Sequence, residues 1–370
     1  MKRLIRENIG KIDTYQPGKP IEELEREYGI KKAVKLASNE NPLGPSPKAL
    51  KAVMASIHGI NRYPDSHGFY LKEKLSRKLG VTSDSIFLGN GSDEIIQLIA
   101  QAFLLPGEEV IMGDPTFSLY QMVVVAAEGK EVRVPLKDFS YDLSSMAARI
   151  TPQTKLIFIN TPLNPTGTIV NKKDFEGFLE AVPPDVILVL DEAYGEYATD
   201  QSYPNFLNYL GSSKNIFILR TFSKIYGLAG LRIGYAIAPS FLVGCLNKLR
   251  APFNTNSLAQ AAALAALDDD DHLKQSLANN RNGLSYLYGE LDQLGIEYLP
   301  TQANFFLMKV GEDAPGVYEA LLKEGVIVRT MTGYGLQHYL RISVGLPSEN
   351  QKFIKALKKV LFGKHGYGKG

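Results

Sequence analysis

Cysteine occurs once in this 370-residue chain, at Cys245, so neither a disulfide framework nor a cysteine metal cluster can be built. The five histidines, at 58, 67, 272, 338 and 365, lack the spacing of metal ligands, and no metal centre is expected. No H-E-x-x-H and no G-x-S-x-G segment is present. Charge of one sign is not in excess either: 41 basic and 39 acidic side chains leave a net charge of +2. With no basic run, a nucleic-acid partner is not expected. No apolar run is long enough to span a bilayer, and the first residues, MKRLIRENIGKIDTY, carry no apolar core of a signal peptide. A cytoplasmic enzyme is the expectation.

The composition is that of an ordinary globular protein, 45% hydrophobic and 22% charged, with length enough for a sizeable core and two domains. Residues 1–20 read as an arm and 21–28 as a short charged helix stopped by Gly29. LASNENPLGPSP, residues 36–47, is dense in turn formers and must be irregular; Ser46 then caps a helix that begins at Pro47. Beyond it, short apolar runs at 85–88, 110–112, 132–136, 155–160, 186–190, 216–219 and 234–238 alternate with helical or loop segments. Such runs indicate a largely parallel sheet covered on both faces. From about residue 258 the order changes to a long helix, 272–294, strands at 305–309, 326–329 and 340–344, and a final helix, 348–362. The expected fold is α/β, with a mainly parallel seven-stranded sheet and a smaller α+β C-terminal domain. The division is an arm, 1–38, packing with the small domain, a large domain, 39–257, and the small domain, 258–370; the tail, 363–370, reads as disordered.

Five stretches and a pair of arginines carry chemistry. SKIYGLAGLRIGY, from Ser223 to Tyr235, puts Lys224 at the end of a buried strand among Thr221, Ser223, three glycines and Arg232. Burying a lysine costs free energy unless it is paired or covalently used. It is either a surface lysine in a glycine-rich loop or the amine of a Schiff base with pyridoxal phosphate, whose phosphate the hydroxyls and Arg232 would hold. GNGSDE, with Gly91, Ser92 and Asp93, follows a strand and opens a helix, so it is a tight turn or a phosphate cradle. Phe117, in PTF, is a core ring or one stacked on a flat heterocycle. NTPLNPTG is a rigid turn that needs no function, or a site at which Asn164 donates its amide to a ligand oxygen. In VILVLDEAYGEY, Asp191 ends a strand as a helix cap, a Mg²⁺-holding aspartate or a carboxylate facing a pyridine nitrogen, with Tyr194 near the same ring. The Mg²⁺ reading needs a G-x-x-x-x-G-K-[ST] loop, which is absent. Arg329 and Arg341 close the series as surface ion pairs or as forks for carboxylate and phosphate.

The order GNGSDE, PTF, NPTG, DEAY, TFSK with Arg232, then LRISVG resembles the fold-type I pyridoxal-phosphate aminotransferases over nearly the whole chain. In detail LASNENPLGPSP, NRYPD, RTFSKIYGLAGLRIGY, RAPFNTNSLAQ and LRISVG are similar to the histidinol-phosphate aminotransferase family. The resemblance implies pyridoxal 5'-phosphate as cofactor, linked to Lys224, which also moves the substrate proton. It implies Asp191 at the ring nitrogen, Tyr194 and Asn164 at the ring phenol oxygen, and Phe117 stacked on the ring where many relatives carry tyrosine. Gly91, Ser92, Asp93, Thr221, Ser223 and Arg232 would surround the phosphate. Tyr63 would reach the cofactor phosphate of a second subunit, which implies a homodimer with shared sites. Arg329 and Arg341 would bind substrate anions, and Tyr15 and Asn39 would close over the substrate.

The expected reaction is transamination between histidinol phosphate and 2-oxoglutarate. Competing readings are an aromatic amino-acid aminotransferase, a pyridoxal-phosphate decarboxylase of a phosphorylated amino acid such as threonine phosphate, and a nucleotide-binding module, which the missing phosphate loop disfavours.

Overall fold

The apolar runs become strands because alternate side chains can be buried on opposite faces of one sheet. In a computed structural model, which describes residues 4–12, 14 and 18–363, the strands are β1 (Val34–Lys35), β2 (Ile86–Gly89), β3 (Glu109–Asp114), β4 (Lys130–Pro135), β5 (Thr154–Asn160), β6 (Ile187–Asp191), β7 (Asn215–Thr221), β8 (Gly234–Ile237), β9 (Tyr298–Leu299), β10 (Phe305–Lys309), β11 (Val326–Ile327), β12 (Arg329–Thr330) and β13 (Tyr339–Ser343). Seven of them form one sheet in the order β2-β8-β7-β6-β5-β3-β4. β8 runs antiparallel to both its neighbours; every other pair is parallel. Ile157, Ile159, Leu188 and Leu190 point into the core on one face, and Leu156, Phe158, Ile187 and Val189 into the core on the other. This is the expected α/β sheet, with all seven strands where the apolar runs stand.

A second sheet, β12-β13-β10-β9, is antiparallel and packs on helices Asp270–Leu294, Ala314–Lys323 and Pro347–Phe362 through Leu287, Leu321, Phe306, Ile342 and Phe353. The run expected as one strand at 326–329 is two. β11 pairs in parallel with β1, whereas β12 pairs with β13, so the chain changes partners at Val328. The N-terminal arm also divides. Helix Ile21–Tyr28 and β1 pack on the small sheet's side through Leu24, Ala37, Leu322 and Ile327. The turn Glu7–Lys11 lies instead on helix Ser118–Ala126, where the Asn8 amide donates to Val125 O at 2.8 Å. Residues 364–370 of the expected disordered tail lie outside the described residues.

Candidate active site

β2, β3, β5, β6 and β7 all run in one direction and release the chain at a single edge, where open α/β sheets bind ligands. Each is followed by one of the stretches singled out above. A cavity of about 260 Å³ opens there. From the large sheet's edge it is lined by Ser92, Asp93, Phe117, Asn164, Asp191 and Tyr194, and by Thr221, Ser223, Lys224 and Arg232. From the opposite side come Asn39, Arg329 and Arg341.

Asp191 ends β6 directly beside Asn160 of β5 and Leu219 of β7. Only 4% of it is exposed. Burial pushes its carboxyl up to about 6, against the pull of two donors, the Tyr120 hydroxyl at 2.8 Å and the Ala193 N–H at 3.0 Å. The same burial, with the carboxylate alongside, holds the Tyr120 hydroxyl well above the usual phenol range. One position on, Glu192 is buried and takes the Arg220 guanidinium through Nε and Nη2, both at 2.9 Å. That ion pair ties the end of β6 to β7 just before Thr221.

Lys224 follows β7 in a loop clamped by the segment 36–47. Its Nζ donates to Ser38 O at 3.3 Å and lies 5.4 Å from the centre of the Tyr194 ring. The Asn41 amide donates to Ile225 O at 2.7 Å. Gly227 has φ +70°, and a Cβ there would stand 2.2 Å from Gly44 O. Backbone cannot yield as a side chain can, so Gly227→Ala is expected to destabilise the fold by about 1–3 kcal/mol, read as a lowered Tm.

At the end of β2 the helix Gly91–Phe103 opens at the cavity, which its first-turn residues Ser92 and Asp93 line, and first-turn N–H groups have no partner within a helix. Gly91 has φ +75°, and a Cβ on it would meet Arg232 Nη2 at 2.4 Å, so the absent side chain is what lets the guanidinium lie over the helix end. Arg232 pairs with Asp93 Oδ2 at 3.1 Å and donates to Ser223 Oγ at 3.4 Å. Gly234 serves the same approach, since a Cβ there would come within 2.8 Å of Ser92 N.

Arg329 and Arg341 stand directly opposite each other on β12 and β13. Arg341 is buried, donates to Asn164 Oδ1 through Nη1 and to Ala37 O at 2.9 Å through Nη2, and has its guanidinium carbon 5.1 Å from the centre of the Phe305 ring.

Thus Lys224, Asp191, Asn164, Tyr194, Phe117, Ser92, Asp93, Thr221, Ser223, Arg232, Asn39, Arg329 and Arg341 share the cavity, with Gly91 beneath Arg232. Tyr63 does not reach the cavity of its own chain. It is 82% exposed and stacks on Phe253 with ring centres 4.5 Å apart. Tyr15 lies outside the described residues. Sequence reasoning missed Tyr120, whose partner Asp191 lies 71 positions away, and Asn160, whose Oδ1 accepts from the Tyr141 and Thr116 hydroxyls. It also missed Tyr334, which lines the cavity from the loop after β12. For Tyr334 a signal existed, an aromatic between two glycines just after Arg329.

A model of the family described as aminotransferase class I and II matches residues 31–357. The histidinol-phosphate aminotransferase of Moorella thermoacetica is 48% identical to this chain, over 96% of this chain and 92% of that one. Histidinol-phosphate aminotransferase 1 of Nitrosococcus oceani is likewise 48% identical, over 95% of each. Among solved structures, that of the histidinol-phosphate aminotransferase from Sinorhizobium meliloti in complex with pyridoxal-5'-phosphate superposes with a TM-score of 0.89 at 29% identity, covering 96% of this chain and 97% of that one. No described helix is long and apolar enough to cross a membrane. With the family match spanning most of its length, the chain belongs to the aminotransferase class I and II family.

Proposed function

We propose that this protein transfers the amino group of L-histidinol phosphate to 2-oxoglutarate, giving imidazole-acetol phosphate and glutamate, with pyridoxal 5'-phosphate as cofactor. One observation carries the reading: an amine, a desolvated carboxylate and a helix-end anion cradle share one cavity with two arginines set opposite each other. Relatives named for this reaction are 48% identical over nearly the whole chain.

The donor set fits pyridoxal phosphate group by group. Asp191, already short of a cation in its buried place, suits a protonated ring nitrogen. The helix end at Gly91, with Ser92, Thr221, Ser223 and Arg232, suits the phosphate. Gly91 leaves the space this needs, and Asp93 holds Arg232 in place. Phe117 would offer a ring face to the heterocycle, and Tyr194 and Asn164, which line the same cavity, would bind its phenol oxygen. When bound, the cofactor supplies a carbonyl that links to amines and a ring that accepts the electron pair released at the substrate α-carbon. Lys224 would hold the cofactor through its amine, and the same amine would be the base that carries the proton away from the substrate α-carbon. The Asp191 carboxylate would keep the ring nitrogen protonated. Arg329 and Arg341 would orient the substrate, and residues 37–40 form one wall of the cavity.

The two half-reactions bring anions of different shape to the same arginines: a phosphate without a carboxylate, then two carboxylates. A guanidinium fork pairs with either. Arg341 is assigned to both half-reactions and Arg329 chiefly to the phosphate. Removing one charge-assisted contact costs roughly 1.5–3 kcal/mol, or about 10–100-fold in kcat/KM. Arg329→Ala is therefore expected to lower kcat/KM for histidinol phosphate by that factor and for phenylalanine much less, whereas Arg341→Ala harms both donors and the keto acid. Steady-state kinetics with both donors is the check. Equal losses on Arg329→Ala favour an aromatic aminotransferase.

Tyr63, exposed in a segment that also exposes Met54, Ile60, Phe69 and Tyr70, is assigned to the site of a second subunit in a homodimer. Mixing Tyr63→Ala chains with Lys224→Ala chains should restore about a quarter of the sites, since each mixed dimer holds one intact set. A monomeric mass in solution scattering at assay concentration contradicts this. The domain division at 38 and 257 and a cytoplasmic location complete the proposal; the lone Cys245, which leaves no disulfide to form, supports the second.

A further inference from the structure

Asn39 lines the cavity, yet it is 1% exposed and its polar groups are engaged by protein. It is held at φ +55°, a left-handed conformation that costs an L-residue free energy. Its carbonyl accepts from the Asn304 amide at 3.0 Å. Its N–H donates to Ser343 Oγ at 2.9 Å, and its Oδ1 stands 2.9 Å from that same hydroxyl. Its Nδ2 donates to the Tyr194 hydroxyl oxygen at 3.0 Å.

Proton accounting gives these bonds a direction. A backbone N–H can only donate, so Ser343 Oγ accepts from Asn39 N. The serine is 3% exposed, so its own proton needs a protein acceptor, and Asn39 Oδ1 is in place. That bond decides which way the Asn39 amide faces: oxygen to Ser343, nitrogen to Tyr194. The Tyr194 oxygen is then the acceptor of the Asn39 N–H, and its own proton must leave in another direction. Among the described residues that proton has no hydrogen-bond acceptor, while Tyr194 lines the cavity. Ser343 does not line this cavity. It lies two residues beyond Arg341 on β13.

We propose that Ser343, acting through Asn39, is a positioning residue that turns the Tyr194 hydroxyl proton into the cavity, where Tyr194 donates to the ring phenol oxygen of the cofactor. The proposal rests on the reading above that this cavity holds pyridoxal phosphate. Without the serine hydroxyl, Asn39 loses the bond that fixes its amide. The flipped amide presents oxygen to Tyr194, and the tyrosine proton turns back to it. The strained backbone at Asn39 is what brings its N–H and its side chain to the same hydroxyl, so one serine sets both.

The test uses the holoenzyme and reads the pH titration of the cofactor's visible absorption, a quantity independent of turnover. Donating to an anionic oxygen favours its deprotonated form, so losing the donor moves the midpoint to higher pH. Tyr194→Phe is expected to raise it by about 1–2 pH units. Ser343→Ala should raise it in the same direction by a smaller amount. Ser343→Thr, which keeps the hydroxyl, should return it to the parent value. The double variant Ser343→Ala/Tyr194→Phe should match Tyr194→Phe alone, because the serine acts only through the tyrosine. Ser343→Ala that lowers Tm but leaves the midpoint unmoved overturns the proposal, as does a shift that adds in full to that of Tyr194→Phe. A protein that takes up no coloured cofactor contradicts the underlying cofactor reading instead.

Discussion

Lys224→Ala is expected to lower transamination by several orders of magnitude, the largest effect among the substitutions considered. Two functions are lost with one amine. The covalent hold on the cofactor disappears, so binding rests on the cradle and Asp191 alone. The base that takes the α-proton disappears too, and positioned proton transfer by itself contributes about 10²–10⁴-fold. No other lysine lines the cavity among the described residues, so nothing takes over. Borohydride reduction of the parent holoenzyme followed by peptide mapping checks the assignment: the reduced link should fall on Lys224. A pyridoxyl group on any other lysine contradicts it.

Asp191→Asn is expected to have opposite effects on activity and on stability. Activity should fall by about 10²–10³-fold, the usual loss when one preorganised electrostatic partner is removed, because a neutral amide cannot hold a ring nitrogen protonated. Stability of the cofactor-free protein should rise. Burial lifts the carboxyl from 3.8 to about 6 in the folded chain. A raised carboxyl favours folding only while it is protonated. Its contribution is therefore present below the unfolded value and is lost as pH rises through the folded one. At neutral pH the buried charge then costs up to about 3 kcal/mol, at 1.36 kcal/mol per pKa unit. In Asp191→Asn the amide oxygen still accepts from the Ala193 N–H, and the amide NH2 donates to the Tyr120 oxygen as the O–H of a protonated Asp191 would, so the variant sheds the charge and mimics the protonated parent. Thermal melts should show it more stable than the parent at about pH 8 and equal to it at about pH 4. A parent that is the more stable at both contradicts the desolvation argument. Such a gain in stability at the expense of activity is the usual mark of a residue kept for function.

Much of this was legible in the sequence for a physical reason. A strand buried on both faces must be apolar throughout, so β2, β3, β5, β6 and β7 stand out as uninterrupted runs, and a charged residue at the end of one, Asp191 or Lys224, is conspicuous. Five such runs followed by polar stretches define one edge. What was not legible depends on partners far away in the chain. Tyr120 sits in a helix of apolar residues and looks like core until Asp191, 71 positions on, is brought to its hydroxyl. β1 and β9 are two residues each, too short for a period to show, and exist only because β11 and β10 lie beside them. The break at Val328 separates β11 from β12 because the two pair with different strands, and local propensity carries no trace of that. Asn39 read as a loop residue over the substrate. Its left-handed backbone and its three bonds to Ser343 and Tyr194 arise only when residues 39, 194 and 343 meet.

The central step of the proposed reaction is the departure of an amino group from histidinol phosphate at the Lys224 cavity. The direct measurement is the visible spectrum of the holoenzyme during two additions. L-Histidinol phosphate alone should abolish the absorption of the lysine-linked cofactor, 2-oxoglutarate should then restore it, and glutamate should appear in an amount equal to the sites. An unchanged spectrum with histidinol phosphate, where phenylalanine or tyrosine gives the full cycle, or loss of carbon dioxide from a phosphorylated amino acid in place of glutamate formation, would contradict it.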